Sequence, residues 1–522
     1  MGNNITSVAG ILRAHGSDRA DHIALVQDDR RLTWADLQAR SAQVAQGLAA
    51  AGVASQDRVA FIDKNGIEHF EVFFGAALLN AVCVDVNWRL AAPEVEYIVN
   101  DAQAKVLVVG ADFVSVLDAI AANLTTVTRI LVIGGHEGYE SYEDWVASFP
   151  ADDPGAESAS GDVAFQLYSS GTTGRPKGVM LSNDNFFSLL PLAKEMWELT
   201  HDSVNLIAMP LFHIGGGGWA VAGMYEGCTS VIFRELDPAA LIRTIEQERI
   251  THAFLVPAVL QFMLMVPGVA DADYSSLQVL VYGASPISED VLARCVEMFA
   301  PCKFWQAYGL TETTGAVVNL APEDHDPSGP NRHRLRSCGL PGPGVELRIV
   351  GDDDRECDVG EVGEIWIKSP QVMIGYWNQP EETIKSVTPD GWFKSGDAGY
   401  LDADGYLYIH DRVKDMIVSG GENVYPAEVE NVLMGHPAIA DVAVIGVPHE
   451  KWGETAKAIV VRVPDAAVTE SEIIAYAKER LATFKCPTSV DWADMLPRNP
   501  SGKVLKKDLR EPFWEGRDRR VG

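Results

Sequence analysis

Cysteine is scarce and unpatterned. The seven thiols (Cys83, Cys228, Cys295, Cys302, Cys338, Cys357 and Cys486) contain no CxxC pair and make an odd total. That spacing indicates neither a zinc site nor a disulfide framework, and reduced thiols in a cytoplasmic protein are the simplest expectation. Long apolar runs are missing too: none reaches the ~20 residues that span a bilayer, and residues 1–18 hold no basic patch followed by such a run. No transmembrane segment is expected. Positive charge is in short supply, with 42 Lys and Arg against 73 Asp and Glu and a net charge of −31. An acidic surface repels nucleic acid and anionic membranes, so neither is expected as a broad partner.

What is present is a soluble globular composition: 522 residues, 47% hydrophobic and 22% charged. The length exceeds what one core usually serves, so a large domain and a smaller one are expected. Apolar segments at 58–62, 81–86, 105–109, 130–133, 206–210, 229–233 and 277–282 alternate with helical patterns. One helix, over 237–248, opens with Asp237-Pro238, a good cap and first-turn pair. Strand and helix in alternation imply parallel sheets covered by helices, an α/β fold. From about 346 to 410 short strands and turns take over, which reads as a small antiparallel β subdomain. Helix and strand then return, with helices expected at 427–434 and 471–481 and strands at 442–447 and 456–463. This gives a large domain over 1–413 and a smaller α+β domain over 414–522, with 514–522 frayed.

The densest chemistry lies in Tyr168-Ser169-Ser170-Gly171-Thr172-Thr173-Gly174-Arg175-Pro176-Lys177-Gly178, directly after an apolar strand. Glycines let backbone N–H groups approach anionic oxygens, four hydroxyls add donors and Lys177 adds a compact charge. Phosphate suits such a loop. It is not a Walker A loop, because Gly-Lys-Ser/Thr is absent.

This stretch resembles the signature loop of the ANL superfamily, which comprises acyl- and aryl-CoA synthetases, peptide-synthetase adenylation domains and luciferases. The resemblance runs from Leu32-Thr33-Trp34-Ala35-Asp36-Leu37 to Pro500-Ser501-Gly502-Lys503. It implies that Ser169, Ser170, Gly171, Thr172, Thr173 and Lys177 meet ATP, with Gly283, Ala284 and Ser285 forming the floor of an adenine slot beside Gln306 and Ala307. Tyr308-Gly309-Leu310-Thr311-Glu312 is similar to the family's YGxTE motif, which makes Tyr308 the adenine stacker, Thr311 a contact to the α-phosphate and Glu312 the holder of Mg2+. Read alone, a Thr-Glu pair is a helix cap with a first-turn acid. Asp397, in Trp392-Phe393-Lys394-Ser395-Gly396-Asp397, matches the ribose-binding carboxylate, and Arg412 the arginine that contacts ribose or phosphate. Lys414 stands at the hinge position, Gly420 and Gly421 in the loop that lines the CoA pantetheine tunnel, and Lys503 where a lysine bridges carboxylate and α-phosphate.

The implied reaction joins a carboxylic acid to CoA in two steps, through an acyl-adenylate made from ATP. The partners are therefore small molecules, with a homodimer open to the chain. In Met209-Pro210-Leu211-Phe212-His213 and the glycine run Gly215–Gly218 there is no carboxylate to pair a substrate amine, which disfavours amino acids. His213 matches a carboxylate-side residue of many relatives. Gly309 replaces a tryptophan that plugs the pocket of acetate-type relatives, and with the glycine run it suggests a roomy tunnel walled by Phe212, Trp219 and Trp305. A medium- to long-chain fatty acid is the expected substrate, with an aryl or alicyclic acid as the competing reading. Transfer to a carrier protein and luciferase-like oxidation are the rivals of another class.

Overall fold

Strands Arg58–Ile62, Val82–Asp85 and Val106–Gly110 are buried along their whole length. A strand with no solvent face needs cover on both sides, which parallel sheets obtain from their crossover helices. The computed structural model, which describes residues 5–169, 176–285, 287–351, 354–412, 415–419, 422–449, 452–481, 483–498 and 504–515, shows that arrangement.

Two large sheets carry it. In the first, of eight strands, Val163–Ser169, Val82–Asp85, Arg58–Ile62, Val106–Gly110, Arg129–Ile133 and Glu140–Ser141 run parallel; antiparallel Lys177–Ser182 and Gly375–Tyr376 complete the opposite edge. In the second, of nine strands, the central run Lys303–Leu310, Val279–Gly283, His252–Leu255, Val204–Ile207, Thr229–Ile232 and Ile23–Gln27 is parallel. Helix Trp34–Ala50 opens on a capping box. Thr33 Oγ1 accepts from the Asp36 N–H at 3.1 Å while Asp36 Oδ2 accepts from the Thr33 N–H at 3.0 Å, a reciprocal cap. Helix Pro238–Gln247 is capped by Asp237 through the Ala240 N–H.

The antiparallel sheet expected near 346–410 is present as Glu346–Val350, Gly363–Lys368, Phe393–Leu401 and Leu407–Arg412. One correction applies inside it. Gly375–Tyr376 leaves this sheet and pairs with Val179 and Met180 at the edge of the eight-stranded sheet. The intervening segment is thus a strap between two layers, and Trp377 fastens it by donating its N–H to the Gly178 carbonyl at 2.7 Å.

Beyond Arg412, strands Ile417–Ser419, Glu422–Val424, Ile439–His449, Gly453–Arg462 and Ser489–Trp492 pack with helices Pro426–Met434 and Glu470–Lys478. They enclose an apolar core of their own, built on Ile417, Val429, Leu433, Val444, Val460 and Ile473. Helix Lys506–Trp514 went unforeseen, because Pro512 breaks its pattern; Trp514 secures it by donating from Nε1 to the Gly446 carbonyl at 2.9 Å. No helix among the described residues is long and apolar enough to cross a membrane.

Candidate active site

The adenine-slot residues converge because two parallel strands end side by side. Gly283 lies opposite Ala307 in register, and a Cβ on Gly283 would stand 2.1 Å from the Ala307 carbonyl oxygen. Only glycine lets the backbones approach so closely. The next residue, Ala284, has φ of +66°, a left-handed conformation rare for alanine and characteristic of a functional turn. Tyr308 is buried, and its hydroxyl donates to Asp397 Oδ2 at 2.9 Å. Burial, and then the Asp397 charge, push the phenol far above its ordinary range, so it stays a donor. Asp397 pairs with Arg412 across strands Phe393–Leu401 and Leu407–Arg412. Gln306 donates from Nε2 to Cys338 Sγ at 3.5 Å. A cleft of about 1100 Å³ joins Ala284, Ser285, Gln306, Ala307, Tyr308, Gly309 and Asp397, and its far wall comes from the C-terminal part, including Asn431, Arg498 and Lys506.

A second corner holds the metal and phosphate candidates. Ser169 ends one strand and pairs with Lys177 at the start of the next, so the two ends of the glycine-rich segment are held together. Ser169 Oγ donates to Glu312 Oε1 at 3.1 Å, and Tyr376 Oη donates to the same oxygen at 3.1 Å. Glu312 Oε2 has no hydrogen-bond partner among the described residues. Buried, hydrogen-bonded and with one open oxygen, this carboxylate fits Mg2+, which takes one or two carboxylates and completes its shell with phosphate and water. Thr311 opens the short turn Thr311–Thr313 that presents Glu312. Lys177 is not a free cation: its Nζ meets Glu382 Oε2 at 2.6 Å and stands 5.0 Å from the centre of the Tyr376 ring. Sequence reasoning missed Tyr376 and Glu382. They come from the strap, and nothing local in 375–386 announces the sheet edge that brings them here.

Comparison with known proteins identifies the family. The profile of the AMP-binding enzyme family matches residues 12–377, and that of the AMP-binding enzyme C-terminal domain matches residues 428–503. The chain belongs to the AMP-binding enzyme family. Among relatives of this AMP-binding enzyme, the fatty acid–[acyl-carrier-protein] ligase ScoC of Streptomyces coeruleorubidus is 40% identical, over 95% of each chain. The long-chain-fatty-acid–CoA ligase FadD13 of Mycobacterium tuberculosis is 38% identical, over 96% of this chain and 97% of that one. The crystal structure of the anthranilate CoA ligase AuaEII in complex with anthranoyl-AMP superposes with a TM-score of 0.90 at 28% identity, covering 97% of each chain. The resemblance read from the motifs, to ANL adenylate-forming enzymes, is borne out.

The acyl-side expectations for this AMP-binding enzyme fare differently. Phe212 does not line the large cleft; it borders a separate small void with Phe61, Asp63, Lys64, His69 and Asp85. Trp219 is a core residue whose Nε1 donates to the Leu206 carbonyl at 3.2 Å, between Trp197 and Phe254. Trp305 packs against the core, and its Nε1 has no hydrogen-bond partner among the described residues. The glycine run also needs a new explanation. A Cβ on Gly216 would stand 2.1 Å from the Pro210 carbonyl oxygen, and one on Gly217 would stand 2.8 Å from that of Leu211. These glycines seat helix Ile214–Glu226 on its own incoming loop. Gly309 lines the cleft, and the Gly315 carbonyl oxygen, 1.7 Å from where its Cβ would be, requires glycine there by backbone approach. His213 caps the same helix: its Nδ1 accepts from the Gly215 N–H at 3.1 Å, which puts the ring proton on Nε2.

Ser170, Gly171, Thr172, Thr173, Lys414, Gly420, Gly421 and Lys503 lie outside the described residues, as does the side chain of Arg412.

Proposed function

We propose that this AMP-binding enzyme is an AMP-forming acid–CoA ligase, and that its acid is a medium- to long-chain fatty acid. The observation that carries the reading is the Tyr308–Asp397 pair in the slot closed by Gly283 and Ala284, with Glu312 presented on the same strand end. In the first step a carboxylate oxygen attacks the α-phosphorus of ATP and pyrophosphate leaves. In the second the CoA sulfur bonds to the acyl carbon, the adenylate oxygen leaves with AMP and the thiol proton is lost.

The residues act by position and charge, as expected for transfer at phosphorus. The glycine floor and the Tyr308 ring hold adenine flat, and Asp397 accepts from the ribose hydroxyls. Thr311 donates to the α-phosphate. Glu312 and phosphate oxygens would hold Mg2+, which supplies charge neutralisation at the polyphosphate. Lys503 offsets the repulsion between carboxylate and phosphate. The division into 1–413 and 414–522, with Lys414 as hinge and Gly420-Gly421 lining the thiol path, completes the proposal: rotation of the second part exchanges Lys503 for the tunnel loop.

Support for the fatty acid comes from FadD13 and ScoC, each named for one, rather than from Gly309 or the glycine run. The test is acid-dependent ATP–pyrophosphate exchange over fatty, aryl and alicyclic acids. Fatty acids are expected to exchange fastest, and a preference for aryl acids would overturn the substrate assignment. ScoC favours a second reading of the acceptor, a carrier protein in place of CoA. Thioester formation measured with CoA and with a holo carrier protein separates the two, and turnover with the carrier alone would displace CoA.

A further inference from the structure

We propose that Glu382 is the resting counter-ion of Lys177 and sets how tightly the site holds polyphosphate, so that pyrophosphate can leave after adenylation. The inference rests on the function proposed above, in which Lys177 faces the phosphates.

Lys177 is nearly fully buried, its side chain 7% exposed, and a buried ammonium needs a partner. Among the described residues, two groups face it: the Glu382 carboxylate at 2.6 Å and the Tyr376 ring at 5.0 Å. Glu382 arrives from 205 residues downstream, on helix Pro380–Ser386. That helix is anchored at its base. Thr383 Oγ1 accepts from the Tyr376 N–H at 2.9 Å, Tyr376 pairs with Val179, and Trp377 donates to Gly178. The carboxylate is therefore delivered to the phosphate hairpin by a built segment and not by a loose surface chain.

Its second oxygen takes Lys385 Nζ at 2.6 Å. The trio of Lys177, Glu382 and Lys385 carries a net charge of +1, one less than the two lysines would carry alone. The hydrogen bonds from Lys177 and then Lys385 hold the Glu382 carboxyl down to about 2, so it is ionised wherever the protein is folded and active. An incoming polyphosphate must share Lys177 with this carboxylate. A bare buried lysine would bind ATP and pyrophosphate alike more strongly, and uniform tightening of that kind slows product release without helping the chemical step.

The experiment is calorimetric titration of the full chain and of Glu382→Gln with magnesium pyrophosphate and, separately, with adenosine. Pyrophosphate is expected to bind the variant about tenfold more tightly, the equivalent of about 1.4 kcal/mol, with adenosine affinity unchanged. In steady state the KM for MgATP falls while kcat also falls, a split that a merely structural lesion would not produce. Glu382→Asp, which draws the charge back by one methylene, is expected to shift pyrophosphate in the same direction by less, and serves if the glutamine variant melts early. Unchanged or weaker pyrophosphate binding in a normally melting variant overturns the proposal, as does a failure of both proteins to bind pyrophosphate. A wild type that binds pyrophosphate but shows no acid-dependent exchange retires the ligase reading and leaves the Glu382 comparison standing.

Discussion

Tyr308 illustrates how one side chain can serve two tasks. Its ring forms a wall of the nucleotide slot, and its hydroxyl supplies a hydrogen bond to a carboxylate that is itself buried. Tyr308→Phe keeps the ring and removes the donor, leaving Asp397 short of a partner at a cost of about 1–2 kcal/mol. A lower melting temperature and a raised KM for ATP are expected together, read by thermal melts and steady-state kinetics; an unchanged KM would mean that Asp397 does not bind ribose. At this scale the sequence was informative where chemistry is carried by residue type and order. Residues that the motifs single out are neighbours in the fold, Tyr308 with Asp397 at the cleft and Ser169 with Glu312 at the strand ends beside it. It was uninformative about Tyr376 and Glu382, since a carboxylate that neutralises a lysine from the far side of a sheet leaves no local pattern.

Helix Ile214–Glu226 shows where a reading by residue size goes astray. Four adjacent glycines look like space left for a substrate, yet Gly216 and Gly217 face carbonyl oxygens of the preceding turn, and Gly215 faces the Phe254 ring. The pair Gly216→Ala and Gly218→Ala tests the difference. A Cβ at Gly216 collides with rigid backbone and is expected to cost about 1–3 kcal/mol. At Gly218 the nearest atom is the flexible end of Ile214 at 3.2 Å, so alanine there should be neutral or stabilise by about 0.5–1 kcal/mol through helix propensity. Denaturant unfolding of the two variants decides it, and equal losses at both sites would contradict the packing account. Elements with strong local signals, such as the helix capped at Asp237 and the fully buried strands, could be placed from sequence. The strap and the last helix could not, because a two-residue edge strand and a proline-containing helix are specified by tertiary contacts.

For the whole molecule, two buried histidines contribute to acid sensitivity. Burial lowers His325 to about 4, where Tyr282 and Ala321 bond its two ring nitrogens, and lowers His252 likewise to about 4. Each therefore takes up a proton in the unfolded chain near 6.5 but not in the folded one until about 4, so stability is full above the first value and drains away as pH falls toward the second. Melting temperature should be flat around neutral pH and decline below about 6.5, with a shallower decline in His325→Gln. The two-part architecture carries its own prediction. Lys503→Ala should abolish adenylate formation while thioester formation from supplied acyl-adenylate persists, and equal loss of both half-reactions would end the division of labour.

The strap has a consequence during synthesis. A nascent chain that has left the ribosome as far as residue 350 already contains the parallel strands of both large sheets, yet Tyr376 and Glu382 are still to come. Until Tyr376 is made, Lys177 has neither its carboxylate nor its aromatic cover, and the Glu312 corner lacks its Tyr376 donor. Magnesium pyrophosphate captured by stalled chains of increasing length would then report the moment at which the strap docks, making the cradle a natural timer of cotranslational assembly.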